Sequence, residues 1–137
     1  MIKILIVAHC GLTEELIKSA EVIAGKQENL IFVSKNTNDE SLSSLQEKIL
    51  NSIKENDDGS GVLILTDMFG GTPYNASMKA CFNNNVEILT GVNLPMVLSA
   101  VFSSRTVTSV KELADKVFKD GLKSIVNAKQ ILLERMK

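Results

Sequence analysis

Apolar positions along this chain fall into two alternating rhythms. Four short runs are almost continuously apolar and rich in β-branched residues: IKILIVA at 2–8, LIFVS at 30–34, GVLILT at 61–66 and VEILTG at 86–91. Runs of this length without polar alternation predict strands covered on both faces, as in a parallel sheet. Between them the spacing lengthens to that of a helix. Leu16, Ile17, Ala20, Ile23 and Ala24 recur at i, i+1, i+4, i+7 and i+8, and Leu42, Leu45, Ile49 and Ile53 repeat the stripe opposite polar residues. TPYNASMKACF (72–82) predicts a third helix and LPMVLSAVF (94–102) a short fourth. Val110, Leu113, Ala114, Val117, Phe118, Leu122 and Ile125 mark a long fifth.

Strands alternating with helices imply right-handed βαβ crossovers, hence one doubly wound, open α/β sheet, mainly parallel. The expected strand order is 2-1-3-4, in a single domain over residues 1–137. The tail after Gly121 is the least patterned part. KSIVNA (123–128) suits an antiparallel edge strand, and AKQILLERMK (128–137) reads as helix.

Composition changes this picture mainly by exclusion. With 137 residues, 45% of them apolar, the chain can bury a core without staples. A formal charge of -1 offers no basic field to nucleic acid or anionic lipid. Lys116, Lys119, Lys123 and Lys129 are interleaved with apolar residues, as on a solvated helix face. Two distant cysteines, Cys10 and Cys81, and one histidine give neither a disulfide framework nor zinc-ligand spacing, so no metal is expected. The first apolar run is roughly six residues, too short to span a membrane, and has no cleavage-type tail. A cytoplasmic protein is the expectation.

The candidate chemistry sits where strands end. In an open α/β sheet, ligands collect outside the carboxyl ends of the strands, at the point where strand order reverses. His9, the single histidine, directly follows the first apolar run, and Asp67 directly follows the third, in LILTDMFGGTPYN. Order 2-1-3-4 makes those strands neighbours, about 4.8 Å apart. An aspartate on one imidazole nitrogen fixes the tautomer and leaves a lone pair on the other. With no hydroxyl or thiol to deprotonate, the histidine itself would be the nucleophile.

GGTP then provides for an anion: Thr72 suits an N-cap, Pro73 the first helical position, and Gly70 and Gly71 close backbone approach. A helix start exposes N–H groups that favour phosphate, and the helix opening near Thr13 offers a second set beside His9. Singly, each feature has a plain structural explanation as a loop residue, a turn or a cap. Together at adjacent strand ends they point to phosphoryl transfer. Met68, Phe69, Tyr74 and Met96 either cap the core or, if exposed around the site, form a protein-docking patch. Cys10 reads as incidental and Cys81 as core-facing. Neither a phosphate-binding G-x-x-x-x-G-K-[ST] nor a G-x-G-x-x-G follows a strand. A receiver-like phospho-aspartate domain would want acidic residues where Ala8, His9 and Cys10 stand.

Residues 2 to 102 resemble the enzyme IIA (EIIA) component of the mannose family of the bacterial sugar phosphotransferase system. The resemblance rests on the strand ending in His9, on GVLILTDMFGGTPYNAS and on VEILTGVNLPMVL. It implies a cytoplasmic α/β phosphocarrier without cofactor, usually a homodimer. His9 would accept phosphate from the carrier HPr and pass it to a histidine of the IIB component, feeding the membrane IIC/IID permease indirectly. Asp67 would orient His9, with Thr72 and the Gly70–Gly71 backbone on the phosphoryl group. Such proteins exchange a C-terminal strand between subunits, for which KSIVNA is the candidate. The family commonly has glycine after the histidine; this chain has Cys10 and then Gly11. Alternatives are the phosphotransfer subunit of a dihydroxyacetone kinase system, whose aspartate segment usually lacks GGTP, and a non-catalytic regulatory module on the same fold.

Overall fold

The computed structural model describes residues 1–83 and 85–137. The chain runs β1 (Lys3–His9), α1 (Leu12–Ala24), β2 (Leu30–Lys35), α2 (Leu42–Asn56), β3 (Val62–Thr66), α3 (Thr72–Met78), α4 (Ala80–Asn83), β4 (Val86–Leu89), α5 (Leu94–Ser103), α6 (Val110–Ser124) and α7 (Ala128–Arg135). The four strands form one sheet in the order β2-β1-β3-β4, with every pair parallel. This is the doubly wound sheet that the two rhythms predict.

Burial explains the order. The central strands β1 and β3 carry the longest apolar runs, and β3 is buried throughout. Alternate side chains feed two cores. Ile4, Ile6, Leu63 and Leu65 face one cluster with α1, α5 and α6, completed by Ala20, Val97, Val101, Leu113 and Val117. Leu5, Val7, Val62 and Ile64 face the other, beneath Leu45, Ile49 and Ile53 of α2 and Ala76 of α3. The edge strands are less covered: Phe32 of β2 is exposed, and β4 is only half-buried after Val86.

Two expectations at the ends of elements need correction. Residues 72–82 do not form one helix. The Ser77 hydroxyl donates to the Pro73 carbonyl at 2.7 Å, a back-bond that competes with the helical ladder, and α3 gives way to α4 at Lys79. KSIVNA is not a sheet strand either. Ser124 closes α6, Ile125 and Asn127 are extended, and α7 begins at Ala128. Among the described residues no strand follows β4.

Candidate functional site

His9 is the last residue of β1, and Asp67 comes one residue after β3 ends. The parallel register Val7↔Thr66 brings the two strand ends together. Asp67 Oδ2 lies 2.6 Å from His9 Nδ1 and accepts the His9 backbone N–H at 3.0 Å, while Oδ1 accepts the N–H of Met68 at 3.0 Å. One carboxylate therefore fixes both ring and backbone of His9. It also sets the tautomer: Nδ1 carries the proton and Nε2 keeps its lone pair. The histidine side chain is 43% exposed and the aspartate 13%, so the imidazole faces solvent while the carboxylate that holds it lies behind.

The helices that follow these strands both start at glycine. Gly11 precedes α1 and Gly71 precedes α3, and neither helix has a side-chain cap on its first N–H groups. Gly70 turns the loop with φ +83°, a left-handed conformation that suits glycine. A Cβ on Gly71 would lie 3.1 Å from Met68 Cγ and 3.7 Å from His9 Cε1, so backbone sits against the ring where a side chain would intrude. The cap is one residue earlier than the sequence suggests. Gly71, with extended ψ of 168°, takes the N-cap position, and Thr72 is the first helical residue with no capping bond.

The apolar candidates divide. Met68 and Phe69 are 55% and 73% exposed, and Tyr74 packs on Phe69 with ring centroids 4.8 Å apart. Met96 is buried at 5% in the α5–α6 core, because it lies on the inward stripe with Val97, Ala100 and Val101. It therefore belongs to the core and not to an exposed docking patch. Cys81 is half-buried on the α2–α3 side, and that burial, followed by the charge of Glu87, pushes its thiol above the usual range.

Cys10 takes the turn after β1 with φ of 52°. This is the left-handed region a glycine enters freely and a cysteine does not. Thr13, fully buried in the first turn of α1, supports the turn from behind. Its hydroxyl lies 2.5 Å from Ser34 Oγ and 3.4 Å from the Cys10 carbonyl. The sequence marks Thr13 only as a helix opening and does not single out Ser34. The signal was there in a polar end to an apolar strand, SK at 34–35, next to an early threonine in the first helix. Among the described residues no group of three His, Cys, Asp or Glu side chains is placed to hold a metal ion, and no helix is long and apolar enough to cross a membrane.

Residues 3–118 match the EIIA-man family model, described as PTS system fructose IIA component. The chain belongs to the mannose family of EIIA components of the sugar phosphotransferase system (PTS). It is 35% identical over 118 residues to a PTS system fructose-specific EIIA component of Bacillus subtilis, covering 85% of this chain and 80% of that one. It is 31% identical over 128 residues to the PTS system mannose-specific EIIAB component of Escherichia coli K12, covering 90% of this chain. The matched region spans 39% of that longer relative. The crystal structure of a phosphotransferase system component EIIA from Streptococcus agalactiae superposes with a TM-score of 0.82 at 32% identity, over 95% of this chain and 99% of that one. In this EIIA chain His9 and Asp67 stand at the two central strand ends, and Cys10 follows the histidine.

Proposed function

We propose that this EIIA is a phosphohistidine carrier: His9 takes a phosphoryl group from HPr and hands it to a IIB component, which serves a membrane IIC/IID permease. The observation that carries this is the 2.6 Å contact of Asp67 Oδ2 with His9 Nδ1, which leaves Nε2 to react, with the helices that follow the same two strands starting uncapped. Membership of the EIIA-man family supports the same assignment.

The transfer balances without a cofactor. The Nε2 lone pair of His9 forms a bond to phosphorus as the donor's N–P bond breaks, and that electron pair returns to the donor imidazole. Nδ1 keeps its proton, so the phosphorylated ring is cationic, and Asp67 stabilises that charge. The free N–H groups around Gly70, Gly71 and Thr72 offer donors to the phosphoryl oxygens, aided by the positive end of the helix dipole. Positioning and electrostatics do most of the work in such a step. Met68, Phe69 and Tyr74 form the apolar rim against which the partner proteins dock.

A homodimer belongs to the same proposal. Phe118, Leu122, Ile125 and Val126 are exposed beside edge strand β4, and Phe118, Leu122 and Ile125 line a cavity of about 180 Å³ with Thr90 and Gly91. A second copy would cover this surface, with 125–127 as the segment available to pair with it. Light scattering is expected to give twice the chain mass for wild type and the monomer mass for Ile125→Asp. A monomeric wild type would contradict the dimer.

The carrier role is tested by incubating the protein with phosphoenolpyruvate, enzyme I and HPr and reading the intact mass. One added phosphoryl group, lost in acid, kept in alkali and absent from His9→Ala, is expected. A label lost in alkali and kept in His9→Ala would indicate an acyl phosphate at Asp67. No label beside active controls would favour a non-catalytic module.

A further inference from the structure

The site as described contains a nucleophile, a carboxylate and neutral backbone donors; its one cation, the phosphorylated ring itself, is already balanced by Asp67. A phosphoryl group on His9 brings close to two negative charges next to the Asp67 carboxylate, and like charges at this distance repel. Something cationic on the His9 side would offset them.

Lys35 is placed to do so. His9 and Lys35 are register partners at the carboxyl ends of β1 and β2. The Cys10 N–H donates to the Lys35 carbonyl at 2.9 Å and Ser34 is held by Thr13, so the two strand ends are tied side by side. Register partners in a parallel pair point to the same face, and neighbouring strands lie about 4.8 Å apart. Val7 and Val33, also register partners, both pack in the core beneath α2 and α3. Two residues further on, His9 and Lys35 therefore share that face. Asp67 takes the ring on the β3 side, and Lys35 occupies the register position on the β2 side of the same face. A flexible four-carbon stem easily spans the gap between adjacent strands. Lys35 is half-buried, and none of the ion pairs among the described residues includes it.

We infer that Lys35 is the cation that holds the phosphoryl group on His9, its ammonium pairing with the phosphoryl oxygens across from Asp67. This rests on the carrier reading above. Lys35 moves no proton and forms no covalent bond; it balances charge that appears when phosphorus arrives.

The test uses the full chain, phosphorylated through phosphoenolpyruvate, enzyme I and HPr, as wild type, Lys35→Gln and Lys35→Arg. Two quantities are read: the pH midpoint of the ³¹P shift of the phosphohistidine, and the equilibrium ratio of phosphorylated EIIA to phosphorylated HPr. A cation beside the phosphoryl group holds its second ionisation low, so Lys35→Gln should move the midpoint up by about one pH unit. By linkage the transfer equilibrium should fall about tenfold at pH above both midpoints. Lys35→Arg should restore both, which a merely structural role would not produce. Lys35→Met keeps the apolar stem and replaces the glutamine variant if that one misfolds. Wild-type label with an unchanged midpoint and ratio in Lys35→Gln would overturn the role of Lys35 alone. A wild type that takes no label would overturn the carrier reading and this inference with it.

Discussion

Helices in this molecule start in two different ways. Helices α2, α5, α6 and α7 begin at Ser41, Asn93, Ser109 and Asn127, and each of those side chains accepts a backbone N–H of the first turn. Helices α1 and α3, which follow the two central strands, begin at Gly11 and Gly71 with nothing over their N–H groups. A cap of the first kind contributes about 1 kcal/mol relative to alanine, and glycine forgoes only a few tenths of that. The difference therefore costs little stability, and it falls at the two helix starts that flank His9. Donors are capped by side chains at those four helix starts and left uncapped beside His9, where the proposed phosphoryl group would sit.

The largest effect is expected from the residue that organises the open end. Asp67→Asn preserves the shape but can offer its amide to Nδ1, favouring the wrong tautomer, and should slow phosphoryl acceptance by roughly 10²–10⁴-fold. Rapid-quench transfer from phosphorylated HPr measures it, and an unchanged rate would remove the orienting role. Next is an exchange of one kind of helix start for the other. Gly71→Asp gives α3 a capping carboxylate at a residue whose backbone already has the extended geometry of an N-cap. Thermal unfolding should show a gain of a few tenths of a kcal/mol, while transfer falls at least about tenfold through repulsion and crowding against Met68 and His9. Gain or loss of both together would show that open caps and chemistry are unrelated.

Smaller effects fall away from the site. Ser109→Ala removes a cap at the opposite end of the sheet, near Met1 and Ile2, and should cost about 1 kcal/mol in denaturant unfolding with transfer unchanged. Cys10→Gly relieves the left-handed cysteine and should raise stability by up to ~1 kcal/mol without loss of transfer. Asp120 should matter least. The Ser99 hydroxyl, bonded at 2.7 Å, and then Lys116 hold its carboxyl below the usual range. Because the folded value is depressed, this stabilisation is complete above the ordinary aspartate value, about 3.9, and is lost as pH falls through the folded one. Asp120→Asn should cost ~0.5 kcal/mol at neutral pH and flatten that part of the acid-stability curve.

What could be read from the sequence follows from where burial dominates. The runs ending at His9 and Thr66 are continuous because β1 and β3 are covered on both faces, so strand order and the meeting of His9 with Asp67 were legible. Features decided by local hydrogen bonding were harder. Thr72 looked like a cap, but Gly71 alone has the extended backbone a cap requires. The helix at 72–82 is interrupted at Lys79, close to the back-bond of Ser77 to Pro73, without any change in its apolar spacing. Met96 follows a loop motif and suited either a core cap or a docking patch, although its spacing with Val97 and Ala100 already belongs to the inward stripe of α5. KSIVNA is extended at Ile125 and Asn127 yet pairs with no strand among the described residues, because α6 runs on to Ser124 and α7 starts at Ala128.

The claim on which the rest depends is that Asp67 reserves Nδ1 and leaves Nε2 to react. Nitrogen-15 and phosphorus-31 NMR of the phosphorylated chain, labelled at its single histidine, reads this directly. The expected spectrum shows phosphorus coupled to Nε2 and a protonated Nδ1, the latter lost in Asp67→Ala. Phosphorus bonded to Nδ1, or absent from the ring of a chain that carries the label, would contradict it.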